Sequence, residues 1–497
     1  MKTIFKGLAA TAAVAVAAPA LAIDSSTVPA SNILNISGAT ATNAALYELA
    51  ILASGGVCEP GTADVYIDTA GPEATDANDQ FMVACTGAAG STLAGTPVLY
   101  TKESNGGSNN GTEQVARSLT LLFLDPSAPS CDAPFTVAAS GALQSYELHT
   151  NCTGTVSEIP GAGIADVEAA LFTSTTAGDI ANLSPSPLFQ ILFAPAVSLN
   201  LYRAMQLSQG LTQDDDPANV PNITRGQLEA IFAGVIGDWT SFKNPDGSTF
   251  ATGATAPTGF GGAVTNIFIC RRGEDSGTQA SFTSFVLNER CNASVPIFVG
   301  PTTAGCLAEG CDWDVNVFNF DFIFAADGSS DVRACLDAKD DQGTYGIGVL
   351  STNTSVNNTD REIRFLGVDG ASPTLSSVAN GGYHFVTENV LNVRSSAALP
   401  GGVPTGVAGD IVDFIVDNIG LPSIIAGLNV SSQNPGGDHG VLGIANGTTI
   451  VPNAPPVSVA TMRTDPISSF TRSAGGSANN CQPISAIADG QILGGLQ

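Results

Sequence analysis

Residues 271–286 read RRGEDSGTQASFTSFV. Two arginines, two acids and a Ser-Gly-Thr turn lead into a run with helical spacing. Three chemistries suit that pattern. The DSG triplet is reminiscent of a serine nucleophile loop. A helix N-terminus preceded by arginine is also a cradle for an oxyanion, because its first N–H groups lack acceptors within the helix. The plainest reading is a solvated loop that caps a helix. A serine nucleophile needs a histidine base. The chain has three histidines, in ELHTN (His149), GYHFV (His384) and GDHGV (His439), and none of these contexts resembles a catalytic loop.

The same plan of strand, Gly/Ser/Thr turn and helix recurs at 31–53, 97–123 and 265–291. Three such units would bring three turns to the carboxyl ends of one sheet. The first offers the Thr40 hydroxyl and the Ala41 amide. The second offers Ser108 and Asn109. The third offers Ser276, Gly277 and Thr278, where glycine lets the backbone approach closely. Arg272 lies four residues before Ser276, and its guanidinium fits two oxygens of a tetrahedral anion in a planar fork. Glu274 is placed to orient it. Asp166, in GAGIADVEAAL, is the informative oddity. A carboxylate beside an anion makes sense if the anion carries a proton to donate. The alternative is that Asp166 caps a helix at 167–171.

The elements that must position these residues belong to an α/β chain, with short apolar strands alternating with helices. A helix is expected after Thr224 as N-cap, with Leu228, Ile231 and Phe232 on one face, and a second amphipathic helix over 408–420. The run 188–205 reads as a buried strand. Loops are expected to dominate 54–96, 124–162 and 297–342, and 431–497 is polar and glycine-rich.

The chain is 497 residues long, with 43% hydrophobic residues and 55 glycines, which suits a packed globule rich in turns. Its first 22 residues read as a secretory signal peptide, with Lys2 and Lys6 ahead of an apolar core and an A-x-A site at 20–22. No cysteine follows that site, so the exported protein, periplasmic or extracellular, is expected to lack a lipid anchor. The formal charge of −28 excludes nucleic acid as a partner. Ten cysteines in an exported chain imply disulfides. The spacings suggest Cys58–Cys85, Cys131–Cys152, Cys270–Cys291 and Cys306–Cys311, leaving Cys335 and Cys481. Ligand spacings for a metal or haem are lacking, so no metal and no cofactor are expected.

These segments together resemble the phosphate-binding protein of bacterial high-affinity phosphate ABC transporters, within the type II periplasmic binding proteins. The matching stretches are SGATATNAALY (37–47), GSNNGTEQVA (107–116), GIAD (163–166), ITRGQLEAIFAGVIGDW (223–239) and RRGEDSGTQASFTSFV (271–286). The resemblance implies a two-lobed fold with a ligand cleft. Lobe I would comprise 23–193 plus 383–497 and lobe II 194–382, with crossovers at 191–201 and 383–390. It implies a monomeric binder of inorganic phosphate, or of a similar protonated oxyanion such as arsenate, serving an ABC permease. Thr40, Ala41, Ser108, Asn109, Asp166, Arg272, Ser276, Gly277 and Thr278 would hold the anion, and Glu274 would steady Arg272. Family members are commonly far shorter and poor in cysteine. An extracellular phosphatase, or a surface or scavenging protein on the same fold, is the rival reading.

Overall fold

A computed structural model describes residues 23–69, 80–243, 247–248, 250, 265–288, 291, 323–326, 328–353, 362–431, 438–444, 456–472, 479–481, 485–488 and 491–495. The leader and the Cys306–Cys311 pair lie outside these residues. The fold is mixed α/β, as expected, and is built on one sheet of 15 described strands.

At one end of the sheet, Ile33–Gly38 lies between Pro97–Glu103 and Ala162–Ala165, parallel to both. At the other end, Phe268–Arg272 lies between Ile323–Ala326 and Gly346–Ser351, again parallel to both. Parallel neighbours need crossovers, and helices supply several of them. The two ends are joined by antiparallel strands. Leu183–Ser198 pairs with Val386–Arg394 through Leu192 and with Gly346–Ser351 from Phe193 onward. Its register partner therefore changes between Leu192 and Phe193. Thr352 N donates to Leu192 O, Phe193 N donates to Phe385 O and the Tyr383 hydroxyl donates to Phe193 O, so this changeover is pinned on both sides.

Strand Leu183–Ser198 contains only part of the run read as strand. At Leu199 the chain turns into helix Leu199–Ser208, which buries Leu201, Tyr202 and Met205. An apolar run of this length does not distinguish strand from buried helix, and the strand ends where Ser198 passes into LNLYRAM. The stretches read as loops also hold strands. Asp64–Ile67, Gln80–Thr86, Phe135–Val137 and Tyr146–His149 extend the sheet beyond Pro97–Glu103. Helix Ser329–Asp341 occupies the end of the third loop stretch. These strands are short, and pairing to a neighbour supplies the order that their own pattern does not.

The largest core cluster runs from Leu34 and Leu46, through Phe193 and Phe385, to Leu228, Trp239 and Phe282, so both ends of the sheet share one apolar interior. Helix Arg225–Phe232 begins at Thr224, whose hydroxyl accepts from Gln227 N at 3.1 Å while Thr224 N donates to Gln227 Oε1 at 2.9 Å. This reciprocal pair satisfies two helix-end donors. The helix buries Leu228, Ile231 and Phe232, and the Phe232 ring meets Phe282 at 4.3 Å between centroids. The motif at 223–239 thus serves to seat the next helix, Gly277–Val286. Helix Val407–Asn418 matches the second amphipathic expectation.

Four disulfides are present among the described residues. Cys58–Cys85 and Cys131–Cys152 are as expected from spacing. The expected Cys270–Cys291 pair is not formed. Cys270 pairs with Cys335, and Cys291 with Cys481. Cys270 lies in a strand that helix Ser329–Asp341 packs against, and both cysteines sit in one cluster with Val332 and Leu336. Packing therefore selects a partner 65 residues away over one 21 residues away.

Candidate anion site

The three strand–turn–helix units exist, and they differ in how they end. After Ile33–Gly38 comes a 3-10 turn, Thr40–Thr42, and then helix Asn43–Ile51. After Pro97–Glu103 comes a 3-10 turn, Ser108–Gly111, and only a five-residue helix, Glu113–Arg117. A helix that short has little dipole, so the second unit contributes mainly its Ser108 hydroxyl. After Phe268–Arg272 comes the ten-residue helix Gly277–Val286, capped by Ser276, whose Oγ accepts from Gln279 N. The amides of Gly277 and Thr278 are the first of this helix and have no helical acceptor to reach.

Asp166 is the point where these units meet. It is buried, at 3% exposure. The Ser108 hydroxyl donates to its Oδ2 at 3.0 Å and Asn389 Nδ2 donates to its Oδ1 at 3.1 Å. Its own N–H donates to Ser108 Oγ at 3.3 Å, and Thr387 Oγ1 donates to its carbonyl at 2.8 Å. Gly277 packs against the same pair. A Cβ there would stand 2.3 Å from Ser108 Oγ and 2.6 Å from Asp166 Cβ, so only glycine fits. Burial pushes the Asp166 carboxyl upward, opposed by the Ser108 bond, the charge of Arg272, the Asn389 bond and the charge of Lys102. Asp166 caps no helix: the following 3-10 turn, Ala169–Leu171, has Glu168 at its N-cap.

Arg272 and Arg271 are consecutive on one strand, so their side chains leave opposite faces. Arg272 is 5% exposed and donates from Nη1 to Ser329 Oγ at 2.9 Å. Its Nη2 reaches the turn before Ser108, where a Cβ built on Gly107 would lie 3.7 Å away. Arg271 instead lines a small hollow with Phe232, Ile269, Gln279 and Phe282. Burial pulls Arg271 below the usual guanidinium range, and Glu274 opposes that by its charge. Glu274 also accepts from Thr173 Oγ1 at 3.4 Å.

The structure brings Ser108, Asp166, Arg272, Ser276, Gly277 and Thr278 together as buried residues around one junction. Thr40 and Ala41 are half-buried at the end of the neighbouring strand, and the Ala41 carbonyl accepts from Asn353 Nδ2 at 2.9 Å. Asn109 is committed elsewhere: its N–H donates to Asp275 O at 3.0 Å, and its Nδ2 lies within bonding distance of Glu113, Ser174 and Asp275. These Asn109 bonds, with Thr173–Glu274 and Asn353–Ala41, draw the two ends of the sheet together over the junction. Sequence reasoning missed Asn389, Ser329 and Lys102. Lys102 is buried and donates to Gly38 O and Ser104 Oγ, each at 2.7 Å. A lysine inside the apolar strand PVLYTKE was the available signal for it.

Two of the three histidines bond to groups other than the serine of DSG. His149 bonds Asp64 at 2.8 Å and His384 bonds the Gly381 carbonyl at 2.9 Å. The Ser276 hydroxyl is engaged as a helix cap.

No family model matches the sequence, and no curated protein matches it. Among solved structures, the chain is similar to one described as a phosphate ABC transporter substrate-binding protein with bound phosphate, from Clostridium perfringens. The identity is 13%, the TM-score is 0.41, and the match covers 80% of this chain and 98% of that one. It is also similar to PstS from Borrelia burgdorferi, at 12% identity and a TM-score of 0.32, over 80% and 97% of the two chains. A third is an ABC-type phosphate transport receptor from Vibrio cholerae, at 16% identity and a TM-score of 0.30, over 52% and 74%.

Proposed function

We propose that this chain is an exported binding protein that holds inorganic phosphate, or an equally protonated tetrahedral anion such as arsenate, between two lobes. The observation that carries this reading is the buried Asp166 carboxylate beside the buried Arg272, with the Ser276–Thr278 helix start at the same junction. Donors and a cation suit any oxyanion. A fixed acceptor among them suits one that still carries a proton.

On this reading, Arg272 forks onto two oxygens, and the Gly277 and Thr278 amides with the Ser276 and Thr278 hydroxyls take others. Ser108 contributes from the opposite side, and Asn109 is displaced from the ligand set by its bonds to Asp275. Thr40 and the Ala41 amide complete the cradle from the first unit. Glu274 steadies Arg272. The lobes are 23–193 plus 383–497 and 194–382, with the hinge at Leu192–Phe193 and Phe385–Val386, where the strand changes partner. Capture by hinge closure would bury the anion. The binder acts as a monomer, presents phosphate to an ABC permease or retains it outside the cytoplasm, and does not hydrolyse esters.

Equilibrium dialysis with radiolabelled phosphate, competed by arsenate and by sulfate, tests the reading. Displacement by arsenate with little displacement by sulfate is expected. Equal displacement by sulfate would overturn it, as would turnover of a chromogenic phosphate ester at the same site.

A further inference from the structure

The surface that must part for the cleft to open carries a covalent bond. Helix Gly277–Val286 presents Ala280 to an apolar cluster of Ala165, Val167, Leu171 and Phe172, and Cys291, just beyond the helix, packs on the same cluster. Ala280 and Cys291 belong to the proposed second lobe and the other four to the first. Cys291 is bonded to Cys481, 190 residues away in sequence, with 5.2 Å between their Cα atoms.

Cys481 is short of slack. Its neighbour Asn480 donates from N to Glu168 Oε1 at 2.8 Å and from Nδ2 to Glu168 Oε2 at 2.6 Å, two residues beyond Asp166. Asn480 Oδ1 accepts from Glu388 N at 3.0 Å, one residue before Asn389. Upstream, Thr471 Oγ1 and Arg472 N both donate to Glu388 Oε1. Arg472 also donates to the carbonyls of Val386, His384 and Asn480. The C-terminal segment is thus nailed to the first lobe and to the hinge strand, and Asn480, which carries three of these bonds, is one peptide from the bond to the second lobe.

We propose that Cys291–Cys481 limits opening of the cleft, so that this protein releases its anion slowly and acts as a retaining holder more than as a shuttle. The proposal rests on the two-lobed binding reading. A noncovalent closure surface opens at a rate set by its contacts, whereas a short covalent link bounds how far it opens.

The experiment compares three oxidised chains. These are the wild type, Cys291→Ser with Cys481→Ser, and a chain with six Gly/Ser residues inserted between Asn480 and Cys481. The insert keeps the bond but adds reach of roughly 13 Å. Each is loaded with radiolabelled inorganic phosphate and chased with unlabelled phosphate. Hydrogen exchange of the ligand-free chains is followed at 108–111 and 275–281. Release at least tenfold faster in the serine chain, intermediate release in the spacer chain, and raised exchange in both are expected. Equal release and equal exchange in all three overturn the proposal. So does an equal acceleration in a control chain carrying Cys58→Ser and Cys85→Ser, a pair within the first lobe. If the serine chain does not fold, the spacer chain decides by the same criteria. If even the wild type binds no phosphate, the ligand assignment has failed, and the exchange comparison alone then supports or overturns the tether.

Discussion

The Ser108 hydroxyl donates to Asp166 Oδ2 at 3.0 Å, while Asn389 holds the other carboxylate oxygen. The acid is therefore held at both oxygens, and on the proposed reading its remaining lone pairs take the ligand proton. Asp166→Asn keeps the shape, removes the charge and presents an N–H. The ratio of phosphate to sulfate affinity should fall by roughly a hundredfold, because a mismatched buried acceptor costs a few kcal/mol. Paired dissociation constants at fixed salt check this. An unchanged ratio would reduce Asp166 to a structural residue.

The two arginines separate a binding role from a packing role. Arg272→Ala should weaken phosphate binding by about 2–5 kcal/mol in calorimetry, since it strips the buried cation from the junction. Arg272→Lys should recover only part of that, because an ammonium does not fork. Arg271→Ala should act mainly on stability, through the hollow it shares with Phe232 and Phe282. Equal losses of affinity at both positions would sink the assignment.

Gly277→Ala tests the closeness of the approach. The added methyl would press on Ser108 Oγ and Asp166 Cβ at less than 3 Å, so either the helix start or the Ser108 turn must move. Phosphate affinity should drop at least tenfold, and the unfolding midpoint of the ligand-free chain should fall as well, because the close approach exists without ligand. Retained affinity would show that the two sides do not close to this distance on binding.

Cys270–Cys335 closes a 65-residue loop within a well-packed cluster. On the chain-entropy model, replacing both by alanine should lower unfolding free energy by about 4 kcal/mol. Guanidinium titration measures it, and peptide mapping without reductant should recover the 270–335 and 291–481 linkages.

His439 is buried, and desolvation pulls its ring down to about 4 from 6.5. The folded state then resists the proton that the unfolded chain accepts. Stability from this group is complete above pH 6.5 and is lost as pH falls toward 4, by on the order of 3 kcal/mol. Glu48 and Asp340, each pushed up to about 7 mainly by burial, act in the opposite sense over part of that range. The comparison must therefore be with His439→Gln. The stability difference between wild type and variant should shrink between pH 7 and pH 4, and a constant difference would show that the ring titrates normally.

What the sequence made legible was local. Thr224 with Gln227, and Ser276 before Gly277, announce helix starts because a cap and its helix lie within four residues. Arg272 stood out by its place four residues before Ser276, and Asp166 as a carboxylate where donors were expected. The cysteine pairs 58–85 and 131–152 were legible by proximity. Cys270–Cys335 was not, since it depends on which helix covers the Phe268–Arg272 strand. Lys102 and Asn389 reach the site through strands whose neighbours are distant in sequence. Asn109 shows the converse: a residue type suited to a ligand, spent instead on the contact with Asp275.

Strand Leu183–Ser198 bears on how the protein can be handled as well as on how it bends. Its first ten residues pair at one end of the sheet and its last six at the other. No cut in the chain yields two self-sufficient halves. Either fragment would lose a central strand or keep one with a bare hydrogen-bonding edge and apolar faces, the condition that drives strand-to-strand aggregation. Expression of one lobe alone should give insoluble material, and domain-swapped chimeras should succeed only when the whole of 183–198 and 386–394 is taken from a single parent.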